Sequence, residues 1–79
     1  MVDKLKAVLI DMTERSIANG YGDKKFSAKL TNAVRDANTK LAMLCDEDEF
    51  NEFVTFSTLF EIVLAKYTVR QVNEYLKSY

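Results

Sequence analysis

The segment Gly20–Lys25, with the sequence GYGDKK, holds the residue types of an anion-binding loop. Its two glycines let the backbone approach a ligand closely, and Lys24 and Lys25 supply positive charge. Tyr21 offers a ring on which a base could stack, and a helix that follows would present free backbone N–H groups. The spacing matches no phosphate-binding fingerprint. A helix end followed by a solvated turn therefore explains the same residues, and this is the interpretation we prefer.

The residues of a typical enzyme are missing from the chain. Its 79 residues include no histidine and one cysteine. Without histidine there is no ordinary general base that titrates near neutral pH. One cysteine forms neither an intramolecular disulfide nor a zinc ligand set. Cys45 falls on an apolar helical stripe, which predicts inert packing. We expect a protein that is not an enzyme and that uses no cofactor and no metal.

The acidic side chains are concentrated in one short segment. Residues 1–40 carry eight basic and five acidic side chains, whereas residues 41–79 carry three basic and seven acidic ones. Five of those seven acids are Asp46, Glu47, Asp48, Glu49 and Glu52. They suit a helix N-terminus, with Asp46 and Glu49 spaced as a capping box. The same cluster would also attract a basic surface of another protein.

Hydrophobic periodicity predicts an all-α fold, a small four-helix bundle formed by a single helical domain, residues 1–79. The predicted helices cover about residues 2–19, 27–45, 47–66 and 69–78. Gly20 is expected to end the first helix, and Ser27 and Thr68 to cap the second and fourth. The connection at Asp46 is so short that helices 2 and 3 should form an antiparallel hairpin. Helix 3 should be central, because its apolar arc contains four phenylalanines: Phe50, Phe53, Phe56 and Phe60.

Four apolar residues do not fit a single four-helix core. Ile10 and Ile17 form a second strip on helix 1, while Leu59 and Ile62 lie outside the apolar arc of helix 3. Surplus apolar surface on a small domain usually marks an interface. The pattern therefore predicts a homo-oligomer, most simply a homodimer. The alternative is that helix 3 is central and touched by all three other helices.

These observations favour a small cytoplasmic regulator or inhibitor that acts by protein–protein interaction. Short, catalytically bare, single-domain chains of this type include small phage-encoded inhibitors. The partner-facing elements would be the acidic cluster and the polar face of helix 2. The single free thiol suits a reducing cytoplasm. No stretch approaches the length of a membrane span.

Two alternatives remain from the sequence. The first is a nucleic-acid-binding transcriptional regulator, which would use either the basic face of helix 2 or the outer face of helix 4. The face of helix 2 comprises Lys29, Arg35 and Lys40 with Lys24 and Lys25, and that of helix 4 comprises Arg70, Asn73 and Lys77. The second alternative is a small nucleotide- or anion-binding protein that uses Tyr21, Lys24 and Lys25.

Overall fold

The computed structural model describes every residue from Met1 to Tyr79 and contains four helices. These are α1 (Val2–Ala18), α2 (Ala28–Ala42), α3 (Glu47–Lys66) and α4 (Val69–Ser78). The only strand-like pairing is one isolated bridge between Lys25 and Thr68. The predicted all-α bundle is confirmed, and α3 and α4 have the predicted bounds. None of the four helices combines the length and the hydropathy that a membrane crossing requires.

Helices that follow each other in sequence run antiparallel. Arg35 on α2 pairs with Glu61 on α3, while Asn38, further along α2, accepts a hydrogen bond from Ser57, further back on α3. The predicted α2–α3 hairpin is thereby confirmed. The most extensive helix pairing is between α1 and α4. Thr13 and Asn73 meet at its centre.

The predicted capping residues lie at the ends of the helices. Gly20 has a φ of 86° and follows the last turn of α1. The N–H groups of Gly20 and Tyr21 donate to the carbonyls of Ile17 and Ser16, which is the Schellman arrangement that a left-handed glycine permits. The side chains of the N-cap residues of the other three helices each accept a backbone N–H. These residues are Ser27, Asp46 and Thr68.

Three helix bounds differ from the prediction, and one of them is the start of α2, at Ala28 instead of residue 27. α1 ends at Ala18 instead of residue 19, and α2 ends at Ala42 instead of residue 45. In α2 the N–H groups of Leu44 and Cys45 donate to the carbonyls three residues back, so the chain tightens into a turn after Ala42. The side chain of Leu44, next to Cys45 in this turn, is 66% exposed.

The hydrophobic core lies between α3 and the α1–α4 pair. α3 provides the largest side chains, with Phe56 and Phe60 stacked at a centroid distance of 5.9 Å. Phe50 was expected in this arc but is 46% exposed. The core side chains are Leu5, Leu9, Val34, Phe53, Phe56, Phe60, Val63, Leu64, Val72 and Leu76. α2 contributes only Val34 to this set, so it covers the core more thinly than the other helices do.

We expect Phe53→Ala and Phe60→Ala each to lower the free energy of unfolding by about 3–5 kcal/mol, because each removes a fully buried ring. Phe50→Ala, in the same helix, is the matched control and should cost about 1 kcal/mol, because that ring is half exposed. Urea titration followed by circular dichroism measures all three. Equal costs for Phe50→Ala and Phe60→Ala would contradict this description of the core.

Candidate interaction surfaces

A row of apolar residues runs along the outside of α3. Phe50, Val54 and Ile62 are 46%, 43% and 50% exposed, and Thr58 lies between them. Since these four residues are spaced four apart, they form one ridge of the helix. We call them the α3 ridge. Leu59, 46% exposed, stands beside it. Leu59 and Ile62 thus lie outside the core, as the sequence pattern predicts.

Behind the α3 ridge is a shallow groove between α2 and α3. It has a volume of about 470 Å³, and its lining is Asn38, Ala42, Phe50, Phe53, Val54, Ser57, Thr58, Glu61 and Ile62. The two residues that follow Ala42, Met43 and Leu44, are the most exposed large apolar side chains in the chain, at 81% and 66%. Exposed apolar surface therefore extends from the α2–α3 turn along most of α3.

The second apolar strip that the sequence predicted on helix 1 is not an exposed surface. Ile10 is half-buried and packs against the core. Ile17 is also half-buried and lies so close to Gly22 that a Cβ there would be 3.4 Å from its side chain. The broad contact between α1 and α4 and the packing of the loop under α1 occupy both residues. Ile10 and Ile17 thus offer less exposed apolar surface than Leu59 and Ile62 do, and their role in an interface stays a prediction.

The acidic cluster lies at the end of the bundle where α3 begins. Asp46 accepts the backbone N–H of Glu49 at 2.8 Å, and this hydrogen bond holds the pKa of Asp46 below its ordinary value. Glu49 is partly buried, and its carboxylate lies 3.4 Å from the amino group of Met1. The other three acids, Glu47, Asp48 and Glu52, are exposed and form no ion pair. We call the segment Asp46–Glu52, with the adjoining Met43 and Leu44, the acidic end.

The opposite end of the bundle carries a groove lined by basic residues, which we call the basic groove. It has a volume of about 620 Å³ and lies where the last turn of α1, the loop and the first turn of α2 meet. Four of the six anion-site residues predicted from the sequence line it, and Arg15 joins them. The lining is Met12, Arg15, Ser16, Asn19, Tyr21, Lys24, Lys25, Ser27, Lys29, Leu30 and Val69. It includes no carboxylate.

The sequence pattern did not indicate Arg15, because an arginine outside any motif does not by itself mark an anion-binding site. The available signal was its position: it lies in the last turn of a helix that ends beside the lysine loop. The loop itself is held in place by α4, because the carbonyls of Gly22 and Lys24 accept the N–H groups of Arg70 and Val69 at 2.8 Å. The first turn of α4 therefore satisfies its free N–H groups with the loop backbone.

The remaining predicted basic residues do not join this groove. Arg35 pairs with Glu61 on α3, and Lys40 pairs with Asp36 on its own helix. Asn73 does not lie on the predicted outer face of helix 4, because it is buried and donates a hydrogen bond to Thr13 at 2.7 Å. Its amide is needed at the α1–α4 contact. The side chains that would read nucleic acid are thus divided among separate surfaces.

The structure contains no cluster of three histidine, cysteine or carboxylate side chains that could hold a metal ion. Cys45 is half-buried, and its Sγ lies 3.5 Å from the carbonyl of Leu41. No protein-family model matches the chain, and the searches found no similar curated protein and no similar solved structure.

The hydrogen bond at Asp46 predicts a component of the acid sensitivity. Because the folded pKa of Asp46 is lowered from 3.8, its contribution to stability is present above pH 3.8 and is lost as the pH falls through the folded pKa. Asp46→Asn keeps a good N-cap that does not titrate. We expect the wild-type protein and the variant to have similar melting temperatures at pH 7. Between pH 4 and pH 2, the melting temperature of the variant should fall less than that of the wild type. Parallel losses, measured by thermal melts over this range, would contradict the assignment.

Proposed function

We propose that the protein is a small regulator that acts without catalysis, by binding other protein chains. The observation that carries the proposal is the exposed α3 ridge. The core beneath α3 is already filled by Phe53, Phe56 and Phe60. The apolar side chains on the outside of the same helix therefore contribute little to folding, and burial against another chain would remove them from water.

The occupant that fits the α3 ridge is a second copy of the chain. A two-fold axis at Thr58 would place Val54 of one copy against Ile62 of the other, and the reverse. Thr58 would face itself, and its small side chain allows close approach. Both residues of each apolar pair are about half exposed in a single chain. The α3 ridge is thus self-complementary, as a two-fold interface requires, and rows of residues four apart are the commonest packing surface of helices.

The charges along α3 favour the same antiparallel arrangement. Its first turn carries Glu47, Asp48 and Glu49, while its last turn carries Lys66. Residues 53–60 carry no charge. Antiparallel packing of two such helices would bring the acids of one copy toward Lys66 of the other, and parallel packing would bring like charges together. The two helix dipoles would also point in opposite directions, which is their favourable arrangement.

We expect light scattering to show a dimer whose population rises with concentration, and Ile62→Glu to convert it to a monomer. A glutamate there would be buried without a partner in the dimer. Val8→Glu, at a residue of α1 that is 39% exposed, is the matched control and should leave the dimer intact. A wild-type monomer at all concentrations, or equal dissociation by both variants, would refute the self-interface.

The acidic end is suited to a different partner. Glu47, Asp48 and Glu52 form no ion pair, and Met43 and Leu44 beside them are 81% and 66% exposed. Surfaces that combine apolar anchors with uncompensated charge bind amphipathic segments of opposite charge. We propose that the regulated protein presents an amphipathic helix with basic residues along its edges.

A synthetic amphipathic helix of leucine and lysine is a probe for this surface. We expect it to bind the wild-type protein more tightly than the same helix with glutamate for lysine. The double variant Glu47→Lys, Asp48→Lys should weaken binding by roughly fivefold to tenfold, because attraction becomes repulsion. Glu74→Lys, which changes an exposed and unpaired acid of α4, is the matched control. Equal binding of the two peptides, measured by fluorescence anisotropy, would count against the assignment.

We further propose that this regulation takes place in the cytoplasm, since the single free thiol of Cys45 suits a reducing compartment. The class proposed here includes small phage-encoded inhibitors of host proteins. Nucleic-acid binding has less support from the geometry, because Asn73 is buried and carboxylates lie beside Arg35 and Lys40, which interrupts the basic face of α2.

A further inference from the structure

We propose that the basic groove binds a nucleotide-class ligand, a small molecule with phosphate groups and a planar ring. The proposal is independent of the α3 ridge and the acidic end, since neither surface contributes a residue to this groove. It rests on the charge, the shape and the rigidity of the residues around it.

The positive charge in the groove is not compensated. Arg15, Lys24, Lys25 and Lys29 converge on it, and none of the three lysines forms an ion pair. Arg15 is paired with Asp11 at 2.8 Å, but both side chains are more than half exposed, so that pair is weak. Four like charges around one cavity repel each other in the free protein. An anion with several charges would relieve this repulsion and form charge-assisted hydrogen bonds.

The shape of the groove favours a ligand with an apolar, planar part. Met12, Leu30 and Val69 contribute apolar side chains to its lining. Tyr21 is 51% exposed at its edge, and the Nζ atom of Lys24 lies 5.2 Å from the centre of the ring. Such a ring can stack on a base, with the lysine adding a cation–π contact. A volume of about 620 Å³ lies within the usual range for small-molecule sites.

The loop that carries these residues is held in one conformation. Gly20 takes a positive φ that other residues rarely adopt, and Gly22 is buried, with its Cα position closed in by Arg70 and Ile17. The carbonyl of Lys24 accepts the N–H of Val69 at 2.8 Å. A ligand would thus meet a loop backbone that is already in position, which lowers the entropic cost of binding. The first N–H groups of α2, after the N-cap Ser27, open toward the same end.

A free nucleotide fits better than a polynucleotide, because the unpaired lysines Lys24, Lys25 and Lys29 meet at one compact groove. Beyond it, Arg35 and Lys40 are paired with Glu61 and Asp36. A polynucleotide would need a basic stripe along which several phosphates are neutralised. The basic groove offers one compact site instead.

Isothermal titration at about 0.15 M salt, where weak surface attraction is screened, tests the proposal. The ligands are ATP, GTP, inorganic triphosphate, adenosine and a single-stranded 20-mer. We expect a nucleoside triphosphate to bind most tightly, inorganic triphosphate more weakly and adenosine not measurably. Lys25→Glu and Lys29→Glu should each weaken nucleotide binding by roughly tenfold or more. Tyr21→Ala should weaken it by roughly tenfold while leaving triphosphate binding unchanged.

Lys40→Glu is the matched control, because it makes the same charge change on α2 outside the groove. It should leave the affinity unchanged. These substituted side chains are exposed, and circular dichroism verifies that each variant is folded. No binding of any nucleotide at millimolar concentration would overturn the proposal, as would equal weakening by Lys40→Glu and Lys29→Glu. Equal affinities for ATP and triphosphate would overturn the nucleotide assignment, and tighter binding of the 20-mer would overturn it in favour of a polynucleotide.

Discussion

Burial of three phenylalanine rings on one side of α3 is the interaction on which the rest of the bundle depends. A chain of 79 residues buries little surface in total. Phe53, Phe56 and Phe60 are each at most 2% exposed, and α1, α2 and α4 all pack against the helix that carries them. These rings orient α3, because they fix which side of it faces inward. The α3 ridge then necessarily faces outward, and its apolar character needs an explanation other than folding.

Helix capping has a second consequence, which is the placement of charge. The acids of residues 46–49 satisfy the N-terminal end of α3, and they also make one end of the molecule negative. The loop after α1 needs a glycine turn, and its lysines lie beside Thr68 at the other end. α3 spans about 30 Å between these ends, in a molecule 39 Å long. Local rules for helix ends thus produce a polarised molecule with two separate charged surfaces.

The sequence was most informative where one residue determines local backbone geometry. Gly20, Ser27, Asp46 and Thr68 mark helix boundaries by mechanisms that act within a few residues, and each was predicted. The shifted helix bounds are local differences, and the others concern contacts between distant residues. Asn73 is buried because α1 and α4 pack closely, and periodicity along one helix does not report which helix will cover it. Arg15 joins the basic groove for the same reason.

The separation of the surfaces limits how a bound ligand can act on a partner. The basic groove is built from α1, the loop, α2 and the first residue of α4, whereas the acidic end and the α3 ridge lie elsewhere. A ligand changes a distant surface only if it binds two conformations differently. A ligand in the proposed site would hold α1, the loop, α2 and the start of α4 together in the folded state. In a domain of marginal stability, this would raise the ratio of folded to unfolded chains by a factor of one plus the ratio of the free ligand concentration to Kd, and with it the population that is competent to bind a partner. Ligand and partner would then be coupled through folding, with no movement of one surface relative to the other.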